Sequence, residues 1–185
     1  MIRTISTLLG IAVLTSAAFC TDAPTVGKVL DDQFRNADRE ITSTVQAMPA
    51  EKINFTPTAG EFKGVRTFAQ QAKHLATYIY IVSSAVLGEK PPVEIGTGDN
   101  GPDSVRTKDQ IVAYVKGAFT FGHKALLSIN EKNQMEPVQM EGRPMARIGA
   151  AVFMMYHNFD HYGQMVEYLR MNGIIPPASR PRGGQ

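Results

Sequence analysis

The chain has 185 residues, 43% hydrophobic and 19% charged, with a formal net charge of +2. That length and balance suit one globular domain with an adequate core. Basic and acidic residues are interleaved without a dense Lys/Arg stripe, which leaves no electrostatic case for nucleic-acid binding, and the Arg180-Pro181-Arg182 end reads as a flexible tail over 178–185.

Residues 1–20 have the layout of a signal peptide: Arg3, an apolar run over 8–14, then the small residues Ser16, Ala17 and Ala18. The run is too short for a comfortable membrane span, so no stable membrane insertion of the mature chain is expected. Phe19 stands where a lipobox needs a small residue before Cys20, so a soluble exported protein, periplasmic or extracellular, is favoured over a lipoprotein. If cleavage falls after Cys20, the mature chain has no thiol, and disulfides, Cys-ligated zinc and a cysteine nucleophile are excluded. The competing reading is a cytosolic chain whose first helix is apolar.

Four amphipathic segments follow within a domain expected over 24–177. Over 26–48, Val29, Leu30, Phe34, Ala37, Ile41 and Val45 recur at threes and fours until Pro49, which predicts the first helix. Residues 65–87 are apolar and free of breakers, with Gly88, Pro91 and Pro92 closing the second. Thr107 and Gln110 form a capping-box start for a third helix running to about Asn130. After a loop with Pro137, Gly142 and Pro144, a fourth spans 146–172, ended by Gly173 and Pro176. No alternating strand pattern of useful length appears. The expected fold class is all-α, a four-helix bundle.

The fourth segment is apolar around most of its circumference. Ala150, Phe153 and Met154 lie near its histidines, and Val152, Met155, Phe159 and Val166 lie roughly opposite. Such a helix calls for burial on both sides, either at the centre of the bundle or in a homodimer interface on the side away from the histidines.

His157 and His161 are four residues apart, which puts both imidazoles on one helical face within reach of a shared divalent metal. His157, His161, Gln164 and Tyr168 share a stripe of the fourth helix, and His74 shares one with Thr67, Gln70, Gln71 and Tyr78 on the second. If the stripes face each other they form a polar pocket with three imidazoles. The alternative is a set of hydrogen-bonded core histidines. His123 lies about 100° from the middle of its helix's apolar stripe, at the border or surface, and is not assigned as a ligand. The pair also matches the spacing of the His-Glu-x-x-His proteases, but Asn158 stands where the general-base glutamate is required. Asp160 reads either as a partner or base beside the metal or as a solvated charge.

The segments Phe55-Thr56-Pro57, Gly60-Glu61-Phe62 and Val65-Arg66-Thr67-Phe68-Ala69-Gln70-Gln71 leading to His74-Leu75-Ala76 resemble the DinB-like (DinB/YfiT) superfamily. So does His157-Asn158-Phe159-Asp160-His161-Tyr162-Gly163-Gln164, continuing through Tyr168-Leu169-Arg170 to Gly173-Ile174-Ile175-Pro176-Pro177. The resemblance covers nearly all of the chain after the leader. It implies a bundle whose divalent metal, zinc or nickel, is held by His74, His157 and His161, with positions left open for water or a substrate atom. Gln70, Tyr78, Asp160 and Gln164 are the candidates for the surrounding pocket. Some relatives are thiol-dependent transferases or isomerases, but an exported chain would not ordinarily meet the cytosolic thiols these use.

The expectation is therefore an exported metal-dependent enzyme, hydrolase or thiol-transferase-like, acting on an unknown small molecule. Its alternatives are a non-enzymatic metal-binding or stress-associated bundle and a metal-free dimeric helical interaction module.

Overall fold

The computed structural model describes residues 23–181. The expected leader, 1–20, and the end of the expected tail, 182–185, lie outside the described residues. The architecture rests on α1 (Val26–Ala47), α2 (Phe68–Leu87), α3 (Lys108–Leu127) and α4 (Arg147–Met171). Among the described residues, no helix is long and apolar enough to cross a membrane.

Local chemistry sets the helix ends. The Thr25 side chain accepts from Lys28 N at the start of α1. Thr107 and Gln110 form the expected capping box at α3, and Thr67 with Gln70 forms a second at α2. That second box starts α2 at Phe68 and leaves Val65 and Arg66, expected to be helical, in the preceding loop. Gly88, at φ +69°, adopts the left-handed conformation that closes α2. Helix α4 has no side-chain cap; its first amides, Arg147 N and Ile148 N, donate to the carbonyls of Glu136 and Gln134.

Those carbonyls precede a feature that the expectation of no useful strand pattern misses. Strands β1 (Pro137–Met140) and β2 (Arg143–Ala146) pair antiparallel, with Val138 opposite Met145. Glu141 and Gly142 form the turn with φ values of +49° and +79°, the twist that suits a two-residue hairpin. The strands are too short to show a convincing alternation, and Pro137 and Pro144 argue against strands on propensity. A two-stranded ribbon tolerates such prolines because both of its strands are edges.

In the bundle, α1 packs on α3 and α4, and α2 packs on the same two helices. The pairs α1/α2 and α3/α4 therefore stand across its diagonals. The start of α1 meets the end of α3, where a Cβ on Gly27 would lie 2.5 Å from the Ile129 carbonyl oxygen, so these helices are antiparallel. Thr77 bonds Tyr114 while Glu89 bonds Lys124, so α2 and α3 run parallel. Gln71 meets Gln164 while Tyr78 meets Phe153, so α2 and α4 are antiparallel. A parallel α2/α3 pair requires the long connection over 88–107 to return along the bundle. Phe34, Ile41, Phe68, Leu75, Ile79, Ile111, Phe119, Leu126 and Met154 fill the centre.

Helix α4 is not central. It buries Ala151, Met154, His161, Met165 and Leu169, while Val152, Tyr156 and Phe159 are 51%, 60% and 42% exposed in the single chain.

Candidate metal centre

Antiparallel packing of α2 against α4 brings His74 to His157 and His161. One ligand atom from each lies within 4.8 Å of the others, and this is the cluster of metal-ligating side chains found among the described residues. The Nε2 atoms of His157 and His161 are 3.3 Å apart. Two nitrogens bound at about 2.0–2.1 Å to one tetrahedral ion stand roughly 3.3 Å apart, so the donor set fits a divalent metal.

Each imidazole is held differently. His74 Nδ1–H donates to the Asp99 carbonyl, which leaves its Nε2 lone pair free. The loop carrying Asp99 is drawn onto α2 at Gly101, φ +71°, where a Cβ would stand 3.0 Å from both Lys73 Cβ and Thr77 Oγ1. His161 Nδ1 meets Gln71 Oε1 at 2.6 Å, Gln71 Nε2 donates to Gln164 Oε1 at 2.6 Å, and Gln164 Nε2 donates to Asp160 Oδ2 at 3.2 Å. An ionised carboxylate only accepts, so Asp160 fixes the orientation of both amides in turn. His161 must then donate from Nδ1 and keep its Nε2 lone pair free. His157 Nδ1 is buried with no hydrogen-bond partner among the described residues. Packing positions that ring: Phe153 stacks on it at 5.3 Å and 24°, and Tyr78 lies 4.5 Å away on another side.

Burial, with repulsion from His74, pushes the pKa of His157 down to about 4, and burial with repulsion from His157 and His74 takes His161 to about 3. Burial also lowers His74, against the opposing pull of its bond to Asp99. All three are neutral near pH 7, the form that binds a metal. The Tyr78 phenol donates to Glu141 Oε1 at 2.9 Å, tying the hairpin turn to the site; burial and then this carboxylate raise its pKa.

The surrounding candidates divide. Gln164, Tyr78 and Asp160 stand in the network around the histidines. Gln70 does not join it: its Oε1 accepts from Thr67 N in the α2 cap, and its neighbour Gln71 holds His161. Helical phase alone does not separate the two, because both fall on the His74 side of α2. The carbonyl of Asp99 was beyond reach of sequence reasoning, since a backbone acceptor leaves no side-chain signal. Asn158 is 0% exposed and its amide has no partner among the described residues, so the position is unsuited to a general base by burial as well as by chemistry. His123 sits between α3 and α1, 20% exposed, with Nδ1 2.5 Å from Asp31 Oδ1 and its ring edge-on to Phe34, away from the cluster.

The model of the DinB superfamily matches residues 33–165. A DinB-like protein from Bacillus cereus ATCC 10987 superposes with a TM-score of 0.63 at 17% identity, over 80% of this chain and 93% of that one. A conserved protein from Enterococcus faecalis gives 0.64 at 17% identity, over 80% and 98%. These likenesses concern the fold. No curated protein matches the chain. With the family model spanning most of the bundle, including all three histidines, the chain belongs to the DinB superfamily.

Proposed function

We propose that the protein is an exported, divalent-metal-dependent enzyme of hydrolase or thiol-transferase type acting on a small molecule, with His74, His157 and His161 as the metal ligands. The observation that carries this is the convergence of three neutral imidazoles, two of them with Nδ1 anchored so that Nε2 faces the cluster. Zinc or nickel suits such a nitrogen donor set. Three protein ligands leave a metal able to acidify a water or a thiol, which is the chemistry the group supplies when bound. The chain's own residues orient the ligands: Tyr78 and Phe153 pack against the His157 ring, and Glu141 of the hairpin turn holds the Tyr78 hydroxyl.

Metal analysis of tag-free protein tests the reading, with a His157→Ala/His161→Ala double variant beside it. One equivalent in the parent and its loss in the variant are expected; zero metal, or equal content in both, refutes it. Substrate panels on loaded protein then test catalysis. Export is checked by fractionating cells that express the full chain. The same reading assigns the α4 stripe of Val152, Tyr156 and Phe159 to a second copy of the chain, supported by its exposed apolar surface at helical spacing.

A further inference from the structure

Lys73 is a buried cation that the metal centre does not use. The residue is 9% exposed, and its Nζ donates to the Pro102 carbonyl at 3.1 Å. One residue further along, the Asp103 carbonyl accepts from Arg106 Nε at 2.7 Å. Two cations thus rest on consecutive carbonyls of one loop, which holds the ammonium and the guanidinium as neighbours. Among the described residues, neither forms an ion pair, and the terminal amino groups of Arg106 make no hydrogen bond. Both line a cleft of about 340 Å³ together with Asn54, Thr67, Gln70 and Asp103.

A buried ammonium is ordinarily matched by a carboxylate, because a charge taken from water without a counter-charge is costly. Carbonyls satisfy its hydrogen bonds but carry no net charge, and the two cations repel each other. Asp103 is the one carboxylate of the cleft; it is exposed, pairs with neither cation and offsets one of the two charges. The neutral lining adds unused donors. Thr67 and Gln70 each use a side-chain oxygen in the α2 cap, which leaves the Thr67 hydroxyl proton and the Gln70 amino group without a partner among the described residues. The first amides of α2 are already taken, Phe68 N by the Phe55 carbonyl, Ala69 N by the Ile53 carbonyl and Gln70 N by Thr67, so the side chains and not the helix end make this cleft a donor site.

We propose that this cleft is an anion site, separate from the three-histidine centre, that takes a phosphoryl group, either as free phosphate or on a small molecule. Lys73 and Arg106 supply the charge, and Thr67, Gln70 and Asn54 supply neutral donors. These groups come from three segments of the chain: α2, the turn at 53–54 and the loop that ends at 106. A phosphoryl group has three acceptor oxygens to meet them, and its charge of about −1.5 to −2 at pH 7 answers two cations. A carboxylate offers two oxygens and a single charge. None of the three histidines lines the cleft, so binding there needs no metal.

Calorimetric titration of the metal-free protein with inorganic phosphate, and separately with glycerol 3-phosphate, tests this, with acetate as the control at constant ionic strength. Saturable binding of the phosphoryl compounds is expected, with a dissociation constant raised about tenfold or more in Lys73→Met and in Arg106→Gln, as for loss of a charge-assisted hydrogen bond. Arg106 is exposed, so its variant keeps the test open if Lys73→Met does not fold. Asp103→Asn removes the one opposing carboxylate and should bind phosphate several-fold more tightly, a gain that a merely structural role for these residues does not produce. Tighter binding of inorganic phosphate assigns the free ion, and tighter binding of the ester a phosphorylated small molecule. The proposal is overturned by a parent that binds neither, by parental affinity in Arg106→Gln, by unchanged or weaker binding in Asp103→Asn, or by acetate held as tightly as phosphate. The His157→Ala/His161→Ala protein should bind phosphate as the parent does; loss of binding there would put the anion at the histidines and overturn a separate site.

Discussion

Replacing Gln71 with leucine removes the link that sets the state of His161. The side chain is 1% exposed and makes two 2.6 Å hydrogen bonds, accepting from His161 Nδ1–H and donating to Gln164. Leucine has similar bulk, so little cavity term arises and the perturbation is chiefly polar. His161 Nδ1 loses a buried acceptor, worth about 1–3 kcal/mol, whereas Gln164 is half-exposed and can turn to water at smaller cost. Metal affinity should fall by roughly 10–100-fold, the usual effect of losing a ligand's outer hydrogen bond, equivalent to about 1.4–2.7 kcal/mol. The assay is a competition titration with a chromophoric chelator, alongside urea unfolding of the metal-free protein. Gln71→Glu keeps an acceptor for His161 and should lose much less affinity. Parental affinity in Gln71→Leu would refute the claim that the Asp160–Gln164–Gln71 chain holds His161 for the metal; equal losses in the two variants would show that packing at this position, and not the acceptor, is what counts.

Acidification has a defined sign. The folded values of about 4 for His157 and about 3 for His161 lie below the ordinary 6.5, so the unfolded chain binds more protons and stability falls as pH drops from about 6.5 towards 4. Thermal unfolding in excess chelator should show a falling Tm over that window, flattened in the His157→Ala/His161→Ala variant; an equally steep fall in the variant would assign the effect elsewhere. At Asn158, wholly buried with an unpartnered amide, Asn158→Leu should stabilise the fold by about 1–2 kcal/mol in urea unfolding, since an unsatisfied polar group is exchanged for an apolar one. A loss of 1 kcal/mol or more would instead mean that a buried water satisfies the amide.

The helices and the His157/His161 pair were legible in the sequence because both follow from local periodicity, whereas His74 was joined to that pair only by the family resemblance and comes to it through the packing of α2 on α4. Apolar residues at threes and fours mark a helix wherever it packs, and a spacing of four puts His157 and His161 on one face before any tertiary contact forms. The Thr107/Gln110 cap and the stop at Gly88 are likewise local in cause. The hairpin at 137–146 was not legible, because its four-residue strands are fixed by the Glu141-Gly142 turn and by joining the start of α4, more than by their own propensity.

Only the tertiary structure decided which neighbour of each histidine matters. Gln70 and Gln71 are adjacent and chemically identical, yet one closes a helix cap and the other holds His161, a difference made by where Gln164 arrives from α4. The Asp99 carbonyl on His74, the Asn100 amide on Arg66 and the exposure of one side of α4 have the same origin. The sequence by itself determined four helices and the pairing of His157 with His161 on one face, because those depend on contacts within a few residues. Which groups orient the imidazoles depends on contacts between residues far apart in the chain, such as Gln71 with Gln164, which exist only once the helices have packed.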